Sequence, residues 1–299
     1  MFQIKKFIDN PTQFLIFLSR KRLLCWLPDK YLLKLLFRGF LGYWPDFDNP
    51  KTFNEKLNWL KLNDRNPLYT SLVDKAKVKE IVADKIGKQY VIPTIGVWNS
   101  FEEIDFEKLP NQFVIKCTHD SKSVMICKDK SKFDIKKAGK KIKSCLKTNL
   151  YWCMREWPYK NVKPRVIVEK LMENSDGCSL VDYKFFCFNG EAKIVFTVSG
   201  RENGTPCADY FDTNWNVLPF EQGFPRSSFD NIPRKPRSLE RMICLAQKLS
   251  ENIPQVRVDF YEIDGEPYFG EMTFFDSSGL AVFSPREWDF KLGEMIKLD

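Results

Sequence analysis

The chain has 299 residues, with 47 Lys or Arg against 39 Asp or Glu and a formal net charge of +8. Its 43% hydrophobic and 29% charged residues are those of a folded chain with a sizeable core, which excludes a disordered or fibrous protein. Nine scattered cysteines without a C-x-x-C pair, and the single histidine His119, argue against a disulfide scaffold or a zinc site. They predict reduced thiols in a cytoplasm.

The positive charge is uneven. Residues 1–45 carry Lys5, Lys6, Arg20, Lys21, Arg22, Lys30, Lys34 and Arg38 against Asp9 and Asp29, which is +6 of the +8. The same stretch holds FLIFL (14–18) and the apolar run RLLCWLPDKYLLKLLFRGFLG (22–42). No run approaches the ~20 apolar residues of a membrane span. A basic, aromatic-rich amphipathic region instead predicts peripheral contact with an anionic membrane at its inner face. Packing of these helices on the main domain, with Lys and Arg outward, is the alternative. Nucleic acid is not expected as a partner, because no recognised binding motif occurs and the remaining chain is nearly neutral.

Residues 49–87 read as helices broken at Pro67 and closed by Gly87, opened by a Thr52–Glu55 capping box. YVIPTIGVW (90–98) reads as a strand, and FVIKC (113–117) and VMICKD (124–129) as strands joined by the polar turn THDSKS. DIKKAGKKIKSCLKTNL (134–150) is a basic helix, and RVIVEKLM (165–172) a strand. DYKFFCFNGEAKIVFTVS (182–199) is a hairpin turning at Asn189-Gly190, and residues 238–252 are a helix. The fold class is α+β, with mostly antiparallel strands.

The last hairpin, VRVDFYEIDGEPYFGEMTFFDSSG (256–279), carries charges in mid-strand. A three-residue turn, Ile263-Asp264-Gly265, gathers Arg257, Asp259, Tyr261, Phe269, Glu271 and Thr273 on one face. Val256, Val258, Phe260, Tyr268, Met272 and Phe274 then form the core face. In that register Arg257 faces Glu271, with Asp259 diagonal to it within about 7–8 Å. Two such carboxylates can converge on Mg²⁺ beside phosphate oxygens. A solvated face with an Arg257–Glu271 pair is the other reading.

NPKTFNEKLNWLKLNDRNPLY, DKAKVKEIV, FVIKCTHDS, REWPYKNVKPRVIVEK, DYKFFCFNG and EMTFFDSSG recur here in one order. That order resembles the TupA-like branch of the ATP-grasp superfamily, whose members lie in teichuronopeptide and capsular polysaccharide pathways and are often labelled glycosyltransferases. The resemblance covers residues from about 45 to 299. It implies two α+β subdomains clasping ATP, behind a basic helical region at 1–48. The implied divisions are a small α/β part at 49–112, a nucleotide lid at 113–180 and a catalytic part at 181–299.

By the same resemblance, ATP and Mg²⁺ are bound. Lys116 and Lys75 would meet the phosphates, and His119, Asp120, Ser121 and Ser123 would form the loop folding over them. Lys122 stands there where the family pattern has glycine. Glu169, Lys170 and Leu171 would read adenine, through the Glu169 carboxylate or its carbonyl. Asp182 would lie near ribose or Mg²⁺ and Lys184 near phosphate. Asp259 and Glu271 would hold the metal, with Thr273 in place of the usual asparagine, and Arg257 would face the transferring phosphoryl group. Lys116, Lys184 and Arg257 are the implied catalytic set. Arg155, Trp157, Tyr159, Lys160, Arg165, Ser277 and Ser278 are candidates for acceptor or lid contacts.

The implied activity is an ADP-forming carboxylate–amine ligase acting on a uronic acid or amino acid of a surface glycan, with an amine as second substrate. The alternatives are a glycosyltransferase, for which DFD (46–48) is the sole metal-motif match, and a membrane-docked nucleotide-binding module without ligase activity.

Overall fold

The computed structural model describes residues 11–200 and 204–298, so Lys5, Lys6 and Asp9 of the basic region lie outside it. The chain divides into two units. One holds the described residues through Arg65, Trp152–Glu156 and Val181 onward; the other holds Asn66–Tyr151 and Trp157–Leu180. The chain passes from one unit to the other after Arg65, Tyr151, Glu156 and Leu180.

The first unit opens with α1 (Pro11–Arg20) and α2 (Asp29–Leu41). Leu32, Leu33, Leu36 and Phe37 recur at helical spacing and are buried with Phe47 and Leu280, with Leu15 and Ile16 of α1 packed alongside. α2 stops at Gly42, whose φ of 79° lets its N–H donate to the Arg38 carbonyl. α3 (Phe53–Asn63) begins with the expected capping box: the Thr52 hydroxyl accepts from the Glu55 N–H, and the Glu55 carboxylate accepts from the Thr52 N–H.

In the second unit, α4 (Leu68–Val73) and α5 (Lys77–Ile86) precede β1 (Thr94–Trp98), β2 (Phe113–Cys117) and β3 (Met125–Cys127). α6 (Ile135–Leu146) and β4 (Val166–Lys170) follow. The sheet runs β1-β4-β2-β3, and every pairing in it is antiparallel. Phe113, Ile115 and Cys117 of β2 and Val166 and Val168 of β4 turn into one core with Ala138 and Ile142 of α6. Strand alternation therefore sends Lys116 and Glu169 to the other face.

The first unit resumes with β5 (Asp182–Phe188), β6 (Glu191–Ser199), β7 (Cys207–Asp212) and the two-residue β8 (Glu221–Gln222). α7 (Leu239–Ser250), β9 (Gln255–Ile263), β10 (Glu266–Thr273), β11 (Phe283–Ser284) and α8 (Glu287–Met295) complete it. The main sheet is ordered β10-β9-β5-β6-β7, and β8 pairs separately with β11. α7 covers one face, burying Met242, Leu245, Ala246 and Leu249, with Ala246 beside Cys187 of β5. On the opposite face Phe53 of α3 meets Phe186 and Phe188, at ring distances of 5.6 and 6.2 Å.

The β9–β10 hairpin corrects the expected register. Ile263 pairs with Glu266, so the turn has two residues, Asp264 (φ 53°) and Gly265 (φ 87°), both left-handed. The ladder then pairs Tyr268 with Tyr261 and Phe269 with Phe260. Phe269 is buried and Tyr268 half-buried, the reverse of the expected faces. The register slips at Gly270, after which Glu271 faces Asp259 and Thr273 faces Arg257. Glu271 is thus opposite Asp259 and not Arg257. The reason lies in the core. Phe269 and Met272 are both buried, three residues apart, and a strand of period two can bury both only with one extra residue between them. A side chain at that extra residue would have its Cβ 3.1 Å from the Asp259 carbonyl oxygen, so glycine occupies it.

Candidate functional site

The bulge restores the even parity that joins Arg257, Asp259, Glu271 and Thr273 on one face. Lys184 of β5 stands directly across from Asp259, its Nζ 2.6 Å from Oδ2, and also binds Asp182. The Arg257 guanidinium grips Asp259 with two nitrogens, at 2.7 Å each, and reaches Glu271 at 3.2 Å. Its Nη1 donates to Asp276 at 2.5 Å, and its plane lies 5.8 Å above the Phe196 ring. Asp276, which follows β10, is further held by Gln222 at 3.0 Å.

Four carboxylates thus meet two cations. Burial opposes the charge on Arg257 and on Lys184, but the surrounding carboxylates outweigh it and raise both pKa values. Burial pushes Asp182 up against the pull of Lys184, and repulsion from Asp259 adds to the rise. Asp259 is 1% exposed, whereas the Glu271 side chain is 35% exposed and is the carboxylate of that facing pair that opens to solvent.

This set fits a hard divalent cation. The Asp259 and Glu271 carboxylates both reach one guanidinium nitrogen, so they converge on a single cationic point. Negative charge is in surplus, Asp182 Oδ1 is buried without a partner, and the Thr273 hydroxyl lies 3.5 Å from Glu271. Among the described residues no group of three or more His, Cys, Asp or Glu forms a ready-made cage. Mg²⁺ asks for less, since it takes one or two carboxylates and completes its shell with water and phosphate oxygens.

Beyond Thr273 the chain turns sharply, with Ser277 and Ser278 in the left-handed region at φ 48° and 56°. A polar stripe on α3 clamps that turn. Lys61 Nζ donates to the Ser278 carbonyl at 2.7 Å and to Asn58 Oδ1 at 3.3 Å. Asn58 donates to the Gly279 carbonyl at 2.8 Å, and Asn54 to that of Ala281 at 2.9 Å. The Ser278 hydroxyl donates to Glu156, and Ser277 to Asp276. Burial lowers the Lys61 pKa to about 8 and raises that of Glu156. Sequence reasoning missed Lys61, Asn58, Glu156 and Asp276. The signal for the first two was polar residues at 54, 58 and 61, the i, i+4, i+7 spacing of a buried helix face.

In the second unit, Glu169 of β4 lies between Lys116 of β2, at 2.5 Å, and Lys79 of α5. Burial works to raise its pKa, but the two ammonium groups outweigh it and lower it. The carboxylate is therefore occupied by lysines, one of which, Lys79, was not anticipated. Lys170 is exposed and Leu171 half-buried at the end of the strand. His119, Asp120 and Ser123 are buried within their own turn: His119 Nε2 lies 3.2 Å from the Thr148 carbonyl, and Ser123 donates to Asp120 while accepting from the Cys117 N–H. Their side chains shape the turn, and Ser121 is the exposed member. Lys75 is half-buried, with its N–H donating to the Thr118 carbonyl.

The acceptor candidates scatter. Arg165 pairs with Asp74 at 3.0 Å, Trp157 packs 5.8 Å from Tyr69, and Lys160 lies over Tyr151. Tyr159 is half-buried in the same short turn. Arg155 is buried in the first unit, bound to Asp29 at 2.9 Å and the Leu24 carbonyl, where it secures the N-terminal helices. Ser277 and Ser278 are the two that adjoin the carboxylate cluster, through Asp276.

A family model described as TupA-like ATPgrasp matches residues 55–297. Comparison with curated proteins finds no match. Among solved structures, the D-alanine–D-alanine ligase from Bacillus anthracis complexed with ATP is 15% identical at a TM-score of 0.38, covering 68% of this chain. This chain spans 55% of that ligase's length. D-cycloserine synthetase DcsG is 16% identical at a TM-score of 0.41, over 77% of this chain and 71% of its own. D-alanine–D-alanine ligase from Helicobacter pylori is 15% identical at 0.40, over 83% and 70%. Such distant likenesses carry no argument beside the family match.

Proposed function

Because the chain belongs to the TupA-like ATP-grasp family, we propose that it is an ATP-dependent ligase joining a carboxylate to an amine through an acyl phosphate. The observation that carries this reading is the cluster on the polar face of β5, β9 and β10, where Asp182, Asp259, Glu271 and Asp276 meet Lys184 and Arg257.

In the proposed reaction a substrate carboxylate oxygen attacks the γ-phosphorus of ATP and the bond to the β-phosphate oxygen breaks, releasing ADP. The amine nitrogen then attacks the acyl carbon, the C–O bond to phosphate breaks, and the nitrogen gives up a proton as phosphate leaves. Asp259 and Glu271, with Thr273, would hold Mg²⁺, which would neutralise phosphate charge. Arg257 and Lys184 hold Asp259 in place and bring positive charge to the same face. Lys116 would meet phosphate as a point charge, and Glu169 keeps it oriented. The Ser277–Ser278 turn, clamped by Lys61 and Asn58, would present its backbone to the acceptor. The family resemblance favours a uronic acid or amino acid of a surface polysaccharide as the carboxylate.

The glycosyltransferase alternative loses its motif. Asp46 accepts from the backbone N–H groups of Asp48 and Asn49, Phe47 is buried, and Asp48 pairs with Lys30 at 2.8 Å. DFD is a self-bonded turn.

The test supplies uronates and amino acids with small amines and ATP, and reads ADP, phosphate and a mass equal to the sum less water. With carboxylate alone, hydroxylamine should trap a hydroxamate. Turnover of a nucleotide sugar, with no amide or hydroxamate from any pair, overturns the ligase reading.

A further inference from the structure

We propose that residues 11–45 form a docking surface for an anionic lipid bilayer. The inner sides of α1 and α2 are already filled, with Leu15, Ile16, Leu32, Leu36 and Phe37 in one cluster. Their outer sides nevertheless carry large apolar groups. Phe14 and Phe17 of α1 are 42% and 40% exposed, Tyr31 and Leu35 of α2 are 61% and 43%, and Trp26 between the helices is 74%. Trp26 and Tyr31 are more exposed than covered, while other apolar residues of the same stretch fill the core.

The charge around them has one sign. Arg20, Lys21, Arg22, Lys30 and Arg38 are exposed and Lys34 is half-buried. Asp29, the single acid between residues 11 and 45, is turned to buried Arg155 at 2.9 Å and to Arg65 at 4.0 Å. Among the described residues, Lys30 is bound to an acid, Asp48, which lies outside the stretch. Aromatic rings interleaved with exposed cations match the headgroup layer, where ring faces and anionic phosphates lie at the same depth. A protein groove would ask for a contiguous apolar centre with the charge kept to a rim. Arg155 and the Ser19–Trp152 hydrogen bond tie these helices to the rest of the first unit, so the surface is presented by packed structure. No helix among the described residues is long and apolar enough to cross a membrane.

The experiment is flotation of the full chain with vesicles of phosphatidylcholine alone and mixed with phosphatidylglycerol. Binding is expected only to the mixed vesicles and should fall as salt rises. Lys21→Gln and Arg22→Gln should each weaken partitioning by about fivefold, the equivalent of ~1 kcal/mol per cation near such a surface. Trp26→Ser should weaken it at least as strongly, while the melting temperature stays close to wild type because Trp26 is 74% exposed. Trp26→Phe serves as the reference for a blue shift of wild-type fluorescence on anionic vesicles. Absence of wild-type binding, equal binding to both vesicle types, or indifference to salt overturns the proposal. So does self-association lost in the Trp26 variant without any vesicle binding. None of these readouts depends on ATP turnover, so they stand or fall apart from the ligase reading.

Discussion

Glu271 stands directly across the β9–β10 ladder from Asp259, and the extra residue that sets it there is Gly270. The pair is asymmetric. Asp259 is buried and bonded to both Lys184 and Arg257, while Glu271 is partly open and meets Arg257 at 3.2 Å.

That asymmetry separates folding from function. Glu271→Gln should leave thermal stability within about 1 kcal/mol, as for other half-exposed pairs. It should lower Mg·ATP-dependent ADP release by roughly a hundredfold or more, the scale of losing one group that stabilises developing charge. Asp259→Asn should cost about 3–5 kcal/mol of stability as well, because two buried cations lose their partner. Melting curves and an ADP-release assay on both variants check this. Full turnover with unchanged Mg·ATP affinity in Glu271→Gln would remove the hairpin from the site.

Gly270→Val tests the bulge itself. Its side chain would crowd the Asp259 carbonyl oxygen, 3.1 Å from the Cβ position, and the Tyr261 ring at 3.3 Å. The expected cost is about 1–3 kcal/mol, with activity lost beyond what the unfolded fraction explains, since Glu271 is displaced from Asp259. Wild-type activity in a folded Gly270→Val variant would show that the bulge does not position the carboxylates.

Lys61 predicts a pH dependence of stability. Its folded pKa is about 8, depressed by burial below the ordinary 10.5, so between those values the unfolded chain holds a proton that the folded chain has lost. Its contribution to stability therefore rises with pH across that window and is flat below it. Cys117 and Cys187, pushed up to about 12 by burial, act in the opposite sense above pH 9. The difference in melting temperature between wild type and Lys61→Met cancels them. It should move in favour of wild type from pH 8 to 10.5. A difference constant across that range would mean that Lys61 is not desolvated.

Much of the architecture was written locally. Thr52 and Glu55 cap α3, Asn189-Gly190 turns a hairpin with both residues left-handed, and Gly87 closes α5, because each depends on residues a few positions apart. Alternation paired Arg257 with Asp259 on one strand and Glu271 with Thr273 on the other, while their common face rested on the turn between the strands. The cross-strand partner was another matter. A three-residue turn and a two-residue turn with a bulge yield the same parity, and Phe269 lies on opposite faces in the two cases. The burial of Phe269 with Met272 selects between them. Long-range pairing likewise gave the Glu169 carboxylate to Lys79 and Lys116, Arg155 to Asp29, and the polar stripe of α3 to the Ser277–Ser278 turn. Local sequence determined the helix caps, the tight turns at Asn189-Gly190 and Gly87, and which residues carry charge. Only the packed structure decided which charge each one meets, because a buried ion is stable only beside a partner that the fold brings from elsewhere in the chain.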